Sequence, residues 1–421
     1  EQEAPTSNRQ VKWWEQVTYL SLQASWIKII RASYDVKTGV RVLLFFCSSR
    51  RKYKMADMQY RELPHGGEKI SVIGLGMGSI HEGSEAEIEK TLKLALESGV
   101  NYFDMAASEA KPYPCYARAF EGKREQVYFQ MHFGAVYDSG KYGWTRDLKK
   151  IRKTFESQLS MLHTDYTDMG FVHCIDEMSD YEKIMTGGIW DYMKSLKENG
   201  VIRHLGLSSH DPEIIRRFLD TGLIDMVMFS INPAYDYSTG DYGIGTASDR
   251  GRLYRECERE GVGISVMKPF GGGQLLNAKT SPFKQALTKT QCIRYALDRP
   301  AVLTVLPGVR NSQDLKDVLA YLDASEAEQD YSVIGQFTPQ NADGICVYCN
   351  HCQPCPKGLN VGMINKYYDL ALAGDEMAKG HYDKLDVKAG ECIHCGHCES
   401  RCPFHVKQET RMQEISRYFG E

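Results

Sequence analysis

The sequence predicts an α/β fold in two parts, a (β/α)8 barrel followed by a small α+β domain rich in cysteine. The first observation is a series of eight strand–helix units that begins near residue 70 and fills about 250 residues, the usual length of such a barrel. The second is that eight of the 13 cysteines lie in two short runs near the carboxyl end. We therefore divide the chain into residues 1–54, a barrel at 55–330 and a cysteine-rich domain at 331–421.

The composition is that of an ordinary globular protein, because 42% of the 421 residues are hydrophobic and 25% are charged. The net charge of −4 gives no reason to expect nucleic-acid binding. No run of 18 or more apolar residues predicts a membrane span. These values exclude a disordered or fibrous chain.

Residues 1–54 differ from the rest of the chain. They carry ten Lys and Arg against four Asp and Glu, and the first methionine of the sequence is Met55. They show neither a clear period nor the order of a secretory signal peptide. Two interpretations remain, an extension upstream of a true start at Met55 or a targeting presequence, and the fold prediction leaves this segment out.

Each predicted strand is a β-rich apolar run, and each predicted helix has apolar residues at helical spacing. The predicted strands are residues 70–78, 101–105, 127–133, 168–173, 204–208, 226–231, 263–267 and 302–306. The predicted helices are residues 85–98, 148–162, 190–197, 212–219, 253–260, 283–297 and 312–322. Strands that alternate with helices form a parallel sheet, and eight such units close into a barrel whose active site lies at the carboxyl ends of the strands.

Local signals fix several helix ends. Gly99 follows the first helix, and the pair Asn199-Gly200 closes the third, as expected for residues that leave helical geometry easily. Asp211-Pro212 opens the fourth, since Asp caps free N–H groups and Pro is favoured in the first turn.

The cysteine runs have the spacings C-x2-C-x2-C-x2-C and C-x2-C-x2-C-x3-C, each followed by a proline. The first comprises Cys346, Cys349, Cys352 and Cys355, and the second comprises Cys392, Cys395, Cys398 and Cys402. The second spacing is that of bacterial ferredoxins, in which the fourth cysteine of a run binds the other cluster. We therefore expect two [4Fe-4S] clusters, one on Cys346, Cys349, Cys352 and Cys402 and the other on Cys392, Cys395, Cys398 and Cys355.

Zinc and disulfides are the alternatives for these cysteines. A zinc ribbon uses four ligands, usually as two C-x2-C pairs, and disulfides need an oxidising compartment. Four cysteines in one short run, present twice, match neither pattern well. The last gap of the first run is one residue shorter than in the ferredoxin spacing.

Five segments, in order along the chain, resemble the signposts of the aldo-keto reductases. They are residues 74–78 (GLGMG), 99–104 (GVNYFD), 168–173 (DMGFVH), 202–208 (IRHLGLS) and 307–310 (PGVR). The resemblance runs from about residue 58 to 322. Together with the cysteine runs, it makes the chain similar to the branch of that family with a ferredoxin-type tail, in which the shorter first spacing is common.

The resemblance implies a catalytic set of Asp, Tyr, Lys and His, in which Tyr is the general acid toward a carbonyl oxygen. Asp104 and His173 match the Asp and the His, but Glu109 stands at the Tyr position and His132 at the Lys position. One expectation is an altered proton-handling set of Asp104, Glu109, His132 and His173. The others are a substitute tyrosine, Tyr113 or Tyr116, and a barrel that has lost the chemistry.

The resemblance also implies a nicotinamide nucleotide across the strand ends. Ser208 and Asn232 match positions that hold its carboxamide. Lys268 with Gly272 and Gly273 is similar to the loop that approaches the pyrophosphate, where exposed N–H groups suit an anion. Gly308 belongs to the last signpost, and Arg310 matches a site for a 2′-phosphate, which favours NADP(H).

We therefore expect a cytoplasmic iron–sulfur oxidoreductase of a low-oxygen setting. Electrons would pass between the two clusters, a nicotinamide nucleotide and a small carbonyl-type substrate, with a ferredoxin or flavodoxin as electron partner. The alternative is a non-catalytic electron-transfer or scaffold subunit that keeps the barrel to dock a partner.

Overall fold

The computed structural model describes residues 57–106, 108–140, 142–237, 243–337, 344–348, 350–372 and 378–421, together with two strands nearer the start. The chain forms two compact units, Glu1–Lys54 and Met55–Glu421. In the first unit, β1 (Ile30–Tyr34) pairs antiparallel with β2 (Arg41–Phe45). The remainder of residues 1–54, and Cys349 in the first cysteine run, lie outside the described residues.

Eight parallel strands form the barrel, as the sequence predicts. They are β5 (Leu75–Gly76), β6 (Tyr102–Asp104), β7 (Tyr128–Phe133), β10 (Thr167–Val172), β11 (Ile202–Ser209), β12 (Met226–Ser230), β13 (Gly263–Met267) and β14 (Val302–Val305). The strands pair in chain order from β5 to β14. The Gly74 N–H donates to the Val305 carbonyl at 2.9 Å, and the Val305 N–H donates to the Val72 carbonyl at 3.0 Å, so the first and last strands meet.

Helices follow the strands and cover the outside of the barrel. Through residue 329 they are α1 (Met77–Ile80), α2 (Glu85–Glu97), α3 (Pro112–Ala119), α4 (Leu148–Leu162), α5 (Met178–Thr186), α6 (Ile189–Glu198), α7 (Pro212–Leu219), α8 (Pro233–Tyr237), α9 (Ala247–Arg259), α10 (Lys289–Leu297), α11 (Ser312–Leu319) and α12 (Glu326–Gln329). The Asp211 side chain accepts the Glu213 N–H at the start of α7, which confirms the predicted cap.

One predicted strand needs correction, and some helices, among them α3 and α5, are not predicted. The predicted strand 70–78 is split, because β3 (Tyr60–Glu62) and β4 (Lys69–Ser71) form an antiparallel hairpin and only β5 pairs with β6. Helix α3 is not predicted, because the two prolines in its first turn interrupt the usual helical pattern. Both prolines are tolerated there, since the N–H groups of a first turn have no partner within the helix.

The barrel interior is a small apolar cluster, separate from the larger core between the sheet and the helices. It contains Leu63, Ile70, Tyr102, Met169, Phe171, Met226, Met228, Leu303 and Leu306. Leu63 and Ile70 come from the β3–β4 hairpin and its turn, so this hairpin closes one end of the barrel. The strand carboxyl ends form the opposite end, the mouth.

The described part of residues 344–421 contains helices and no strand. These helices are α13 (Val361–Leu372), α14 (Ala378–Asp383), α15 (His397–Arg401) and α16 (Gln408–Phe419). The ferredoxin-like α+β character expected here is therefore not confirmed and stays a prediction. None of the described helices is both long and apolar enough to cross a bilayer.

The tail packs on the barrel through apolar and polar contacts. Val347 and Phe404 are buried in the main hydrophobic core of the barrel. The Phe404 ring lies 6.5 Å from the ring of Tyr237 in α8. Arg299, next to α10, donates to the Val347 carbonyl and, at 3.1 Å, to the Tyr331 hydroxyl.

Candidate active site at the barrel mouth

Three predicted site residues stand at the carboxyl ends of neighbouring strands. Asp104 ends β6, His132 lies near the end of β7, and His173 directly follows β10. Their side chains point into the mouth region and are almost fully buried, with 5%, 4% and 8% of the residue surface exposed. The barrel thus brings together three of the four groups in the predicted proton-handling set.

These side chains form a continuous chain of hydrogen bonds that ends on a tyrosine. His132 Nε2 lies 2.7 Å from Asp104 Oδ1, and His132 Nδ1 lies 3.1 Å from His173 Nδ1. His173 Nε2 is 2.7 Å from the Tyr142 hydroxyl. Four ionisable groups are therefore linked from the barrel interior to the rim.

The amide of Gln130 fixes the inner end of this chain. Its Oε1 accepts the hydroxyls of Tyr102 at 2.6 Å and Ser265 at 2.8 Å, so its Nε2 is the donor to Asp104 Oδ1 at 3.0 Å. Asp104 Oδ1 then accepts from both Gln130 and His132, which holds the carboxylate beside the imidazole.

Tyr142 is placed by backbone pairing between two loops. The hairpin β8 (Ala135–Val136) and β9 (Gly143–Trp144) follows β7, and the Tyr142 N–H donates to the Ser108 carbonyl at 3.0 Å. Tyr142 thus lies against the segment where the family tyrosine is expected. Its residue surface is 43% exposed, so its hydroxyl group sits at the edge of the mouth.

A glycine lets this hairpin close over His173. Gly134 has a φ of +111°, and a Cβ atom there would lie 3.0 Å from the Thr145 carbonyl and 3.6 Å from the His173 Cβ. Any larger residue would be strained in this backbone conformation and crowd both neighbours.

Burial keeps His173 and Tyr142, the outer half of the hydrogen-bond chain, uncharged near neutral pH. Burial, and secondarily the neighbouring His132, holds the pKa of His173 well below its usual value. Burial, with a smaller contribution from Cys174, raises the pKa of Tyr142 to about 12. A neutral imidazole and a protonated phenol are the forms that pass a proton without gaining lasting charge.

The other two predicted catalytic residues lie elsewhere. Glu109 is half-buried in the 108–110 segment, whose Ala110 N–H donates to Gly140 at 2.9 Å. The Tyr113 hydroxyl is buried and donates to the Met105 carbonyl at 2.8 Å. The hydroxyl that meets His173 is that of Tyr142, which the sequence does not predict.

The predicted carboxamide residues are committed to the protein framework. Ser208 is buried, and its Oγ accepts the Cys174 N–H at 2.7 Å. Asn232 is fully buried; its Oδ1 accepts the Tyr235 N–H at 3.0 Å, and its Nδ2 donates to the Lys268 carbonyl at 2.8 Å. Ser208 still has a hydroxyl proton and Asn232 a second N–H to offer.

The predicted phosphate residues stand on the rim after β13 and β14. Gly272 and Gly273 are exposed and have φ of +65° and +91°, and a Cβ atom at either position would have no neighbour within 4 Å. The Gly273 N–H, however, donates to the Phe270 carbonyl at 3.0 Å. Gly308 is also exposed. Arg310 is 60% exposed in its side chain and pairs with Asp314 at 2.9 Å, so a phosphate would share it with this carboxylate.

A second polar group lies at the mouth, and Lys268 is its only member among the predicted site residues. Cys174, Asp176 and His210 place one polar atom each within 4.8 Å of the others. Asp176 Oδ2 lies 2.9 Å from His210 Nδ1, and His210 Nε2 lies 2.9 Å from Lys268 Nζ.

The described tail cysteines include two sets of neighbours, and the exchange of fourth ligands between the two runs stays a prediction. Cys346, Cys352 and Cys402 line one cavity, together with Gln408, whose Nε2 is 3.8 Å from Cys346 Sγ. In the other group, burial raises the pKa of Cys392, and negative charge on Cys355 and Cys395 raises it further.

Backbone N–H groups also point at these sulfurs. The Tyr348 N–H donates to Cys346, the His394 N–H to Cys392 and the Glu399 N–H to Cys398. Such donors stabilise thiolates that carry the charge of an iron–sulfur cluster. The donor set therefore fits a [4Fe-4S] group at each site.

The spacing of the sulfurs does not suit a single tetrahedral zinc ion. Zinc–sulfur bonds of about 2.3 Å place ligand sulfurs about 3.8 Å apart. No three of the described tail cysteines have Sγ atoms within 4.8 Å of one another. A cubane carries each thiolate on a different iron, so its ligand sulfurs need not lie this close together.

Comparison with known proteins identifies the barrel. Residues 72–292 match the sequence model described as the aldo/keto reductase family. The uncharacterized oxidoreductase YqkF of Bacillus subtilis is 29% identical over 184 residues, which are 42% of this chain and 56% of that protein. A Schizosaccharomyces pombe protein named aldo-keto reductase yakc, NADP(+), is 25% identical over 232 residues, 52% of this chain and 63% of that protein.

A solved structure shares the fold. The holo form of an aldo-keto reductase from Bacillus halodurans superposes with a TM-score of 0.54 at 21% identity, over 67% of this chain and 97% of that one. The chain spans less than two thirds of the two curated relatives named above. Because the family model covers more than half of the sequence, from the first barrel strand into α10, this chain belongs to the aldo/keto reductase family.

Proposed function

We propose that the chain is an oxidoreductase that reduces a small carbonyl-type substrate, or oxidises the matching alcohol, at the barrel mouth. The observation that carries this proposal is the hydrogen-bond chain from Asp104 through His132 and His173 to Tyr142. It provides Tyr142 as a proton donor at the rim and buried groups behind it that can replace the donated proton, and a carbonyl reduction needs both.

The proton path follows from the contacts. With a proton on both nitrogens of His132, Nε2–H points to Asp104 and Nδ1–H to His173, so His173 turns its own Nε2–H toward Tyr142. Tyr142 then donates to the substrate oxygen and recovers its proton from His173. One proton moves outward, and the Asp104–His132 pair gives it up.

His132 takes the place of the lysine that the family uses beside the aspartate. Both can carry a positive charge next to Asp104, but only an imidazole can pass a proton through the ring. We therefore assign His132 to proton supply, and Tyr142 to the general-acid role that the family gives to the tyrosine missing at position 109.

We further propose that the mouth binds NADP(H) and that the tail holds two [4Fe-4S] clusters, with the ligand sets predicted above. A nicotinamide carries a hydride and a cluster carries single electrons, so the pair joins one-electron and two-electron chemistry. The exposed side chain of Arg310 and the exposed backbone at Gly272 support the nucleotide site. A ferredoxin or flavodoxin would exchange electrons with the tail, in a low-oxygen cytoplasm where thiols stay reduced.

The test uses protein purified without oxygen. We expect about eight irons per chain, binding of NADPH in a fluorescence titration, and NADPH-dependent turnover of small aldehydes or ketones. His132→Gln should lower turnover about 100-fold and leave NADPH binding unchanged, because Gln cannot relay a proton. His65→Gln, at an exposed histidine outside the mouth, should change neither.

Two results would contradict the proposal. Full turnover in His132→Gln would remove the proton path. Eight irons without any nucleotide binding would favour the second candidate, an electron-transfer or scaffold subunit, which the internal hydrogen bonds of Ser208 and Asn232 favour.

A further inference from the structure

A second chain of polar groups crosses the mouth beside the first. Asp176 lies shortly after β10, His210 directly follows β11 and Lys268 directly follows β13. The carboxyl ends of these strands therefore bring a carboxylate, an imidazole and an amine together, although 92 residues separate the first from the last. The proton path proposed above uses none of them.

The hydrogen bonds of this group run from the Lys268 amine through the His210 imidazole to the Asp176 carboxylate. Asp176 Oδ1 accepts the His210 backbone N–H at 2.7 Å, and its Oδ2 lies 2.9 Å from His210 Nδ1. Burial opposes ionisation of Asp176, but hydrogen bonds from His210 and Cys174 lower its pKa to about 2. An ionised Asp176 places the imidazole proton on Nδ1, so His210 Nε2 is an acceptor for the Lys268 amine at 2.9 Å.

Lys268 is held firmly and still reaches the mouth. Its φ of +54° is a left-handed conformation that costs a non-glycine residue energy. Its carbonyl accepts the Asn232 amide, which anchors that backbone. The residue is partly exposed, whereas His210 is only 4% exposed. Burial lowers the pKa of Lys268, although negative charge on Cys174 and Asp176 acts against this.

A nucleophile, a base that contacts it and a third group that orients the base are the parts of covalent catalysis. We propose that Lys268 is a second reactive group of the mouth, whose amine condenses reversibly with small aldehydes and ketones to an imine, with His210 as the proton carrier and Asp176 as its positioning residue. The inference is independent of the proposed reductase activity, since it needs neither a nucleotide nor a cluster.

The step balances without an oxidant or a reductant. The Lys268 nitrogen bonds to the carbonyl carbon, and His210 Nε2 moves a proton from nitrogen to the former carbonyl oxygen. Loss of that oxygen as water, with the second nitrogen proton, leaves the carbon–nitrogen double bond. Water reverses the reaction.

The test measures how fast individual lysines of the full-length holoprotein react with propionaldehyde. Sodium cyanoborohydride traps any imine as a stable propyl-lysine, and peptide mass spectrometry follows each site over time. Lys279 is the internal control, because it lies in the same connection after β13 and is exposed. We expect Lys268 to be labelled at least about tenfold faster than Lys279.

Variants assign the roles. Lys268→Arg should lose the fast label, while Lys279→Arg should keep it. His210→Gln should slow labelling of Lys268 by about tenfold and leave Lys279 unchanged. Equal rates at Lys268 and Lys279 in the unaltered protein would overturn the proposal, and this comparison holds even if a variant fails to fold. An unchanged Lys268 rate in a folded His210→Gln protein would also overturn it.

Discussion

At the scale of single residues, a tyrosine hydroxyl reaches His173 from an unexpected place. Position 109, where the family tyrosine stands, is a glutamate, yet Tyr142 lies 2.7 Å from His173 Nε2. The β8–β9 hairpin thus brings a phenol from 33 residues further along the chain into the same region. The fold therefore places a phenol beside the predicted histidine even though the sequence has no tyrosine at position 109.

Removing that hydroxyl tests its role. We expect Tyr142→Phe to lower the turnover number for carbonyl reduction by about 100- to 10,000-fold, with little change in NADPH affinity, because only the proton donor is lost. Steady-state kinetics and a fluorescence titration measure the two effects.

Tyr137→Phe is the matched control. Tyr137 is a neighbouring tyrosine whose hydroxyl interacts with Tyr113, so its loss should leave turnover within about twofold. Equal losses in the two variants would show that ring packing, and not the phenol proton, is responsible.

The sequence predicts the inner part of the site and misses the outer part, for a physical reason. Asp104, His132 and His173 stand at strand ends, and strand ends in a barrel converge wherever the strands are recognised. Tyr142 and Asp176 lie on connections, whose positions depend on backbone contacts between loops. Those contacts, such as that of Tyr142 with Ser108, leave no periodic signal in the sequence.

At the scale of elements, a histidine ties the closing hairpin to the barrel. His204 in β11 lies 2.9 Å from Glu68, in the turn of the β3–β4 hairpin, and 3.3 Å from Asp225. Lys197 and the half-exposed His65 also face Asp225. Burial lowers the pKa of His204, but hydrogen bonds with Asp225 and Glu68 outweigh it, so the pKa is raised overall.

This predicts a pH dependence of stability. Because the folded pKa is above the unfolded value of about 6.5, the stabilisation from His204 is complete below that value and is lost as pH rises through the folded pKa. Urea unfolding should show that His204→Gln lowers the free energy of unfolding by about 1.5–3 kcal/mol at pH 5.5 and by less at pH 9. A difference that grows with pH would contradict the assignment.

The tail allows a test of how its cysteines are shared. If Cys355 serves the second run, then Cys355 and Cys395 bind the same cluster, and the double variant Cys355→Ser/Cys395→Ser should keep about four irons per chain. Iron analysis of protein purified without oxygen measures this.

Two outcomes would speak against the exchange. If each run formed its own cluster, the double variant would lose all the iron. Cys115→Ser, at a buried thiol of the barrel, should keep about eight irons and serves as the control.

The barrel is well predicted at this scale because each strand is an apolar run and most helices carry a cap or periodic apolar residues. The errors occur where this rule fails. Residues 70–78 read as one run, but the chain turns between Ser71 and Leu75 to leave the hairpin for the barrel. The proline-rich start of α3 hides a helix that tertiary packing supports.

At the scale of the whole molecule, Arg299 joins the barrel to the tail. It is 6% exposed and donates to the Val347 carbonyl, one residue after Cys346, and to the Tyr331 hydroxyl. Its guanidinium carbon Cζ also lies 4.5 Å from the centroid of the Tyr295 ring. Replacing it would remove both of these buried hydrogen bonds, although the Tyr331 hydroxyl would still donate to the Val347 carbonyl at 3.1 Å.

We expect Arg299→Met to lower the free energy of unfolding by about 3 kcal/mol and to increase protease cleavage within the tail. Arg252→Met, at a surface pair on α9 with 57% side-chain exposure, should change it by less than about 0.5 kcal/mol. Urea unfolding and limited proteolysis provide the measurements, and equal stability of the two variants would refute the bridging role.

The ring contact between Phe404 and Tyr237 connects the cysteine-rich tail to helix α8 of the barrel. Phe404 stands two residues after Cys402, and Tyr237 ends the short helix that begins next to Asn232. Coupling between two binding events is reciprocal: a ligand that shifts this helix changes the energy of the tail, and an altered tail changes the affinity for that ligand by the same factor. If the tail holds the proposed clusters, a change in their oxidation state would therefore change the affinity of the mouth for its ligand.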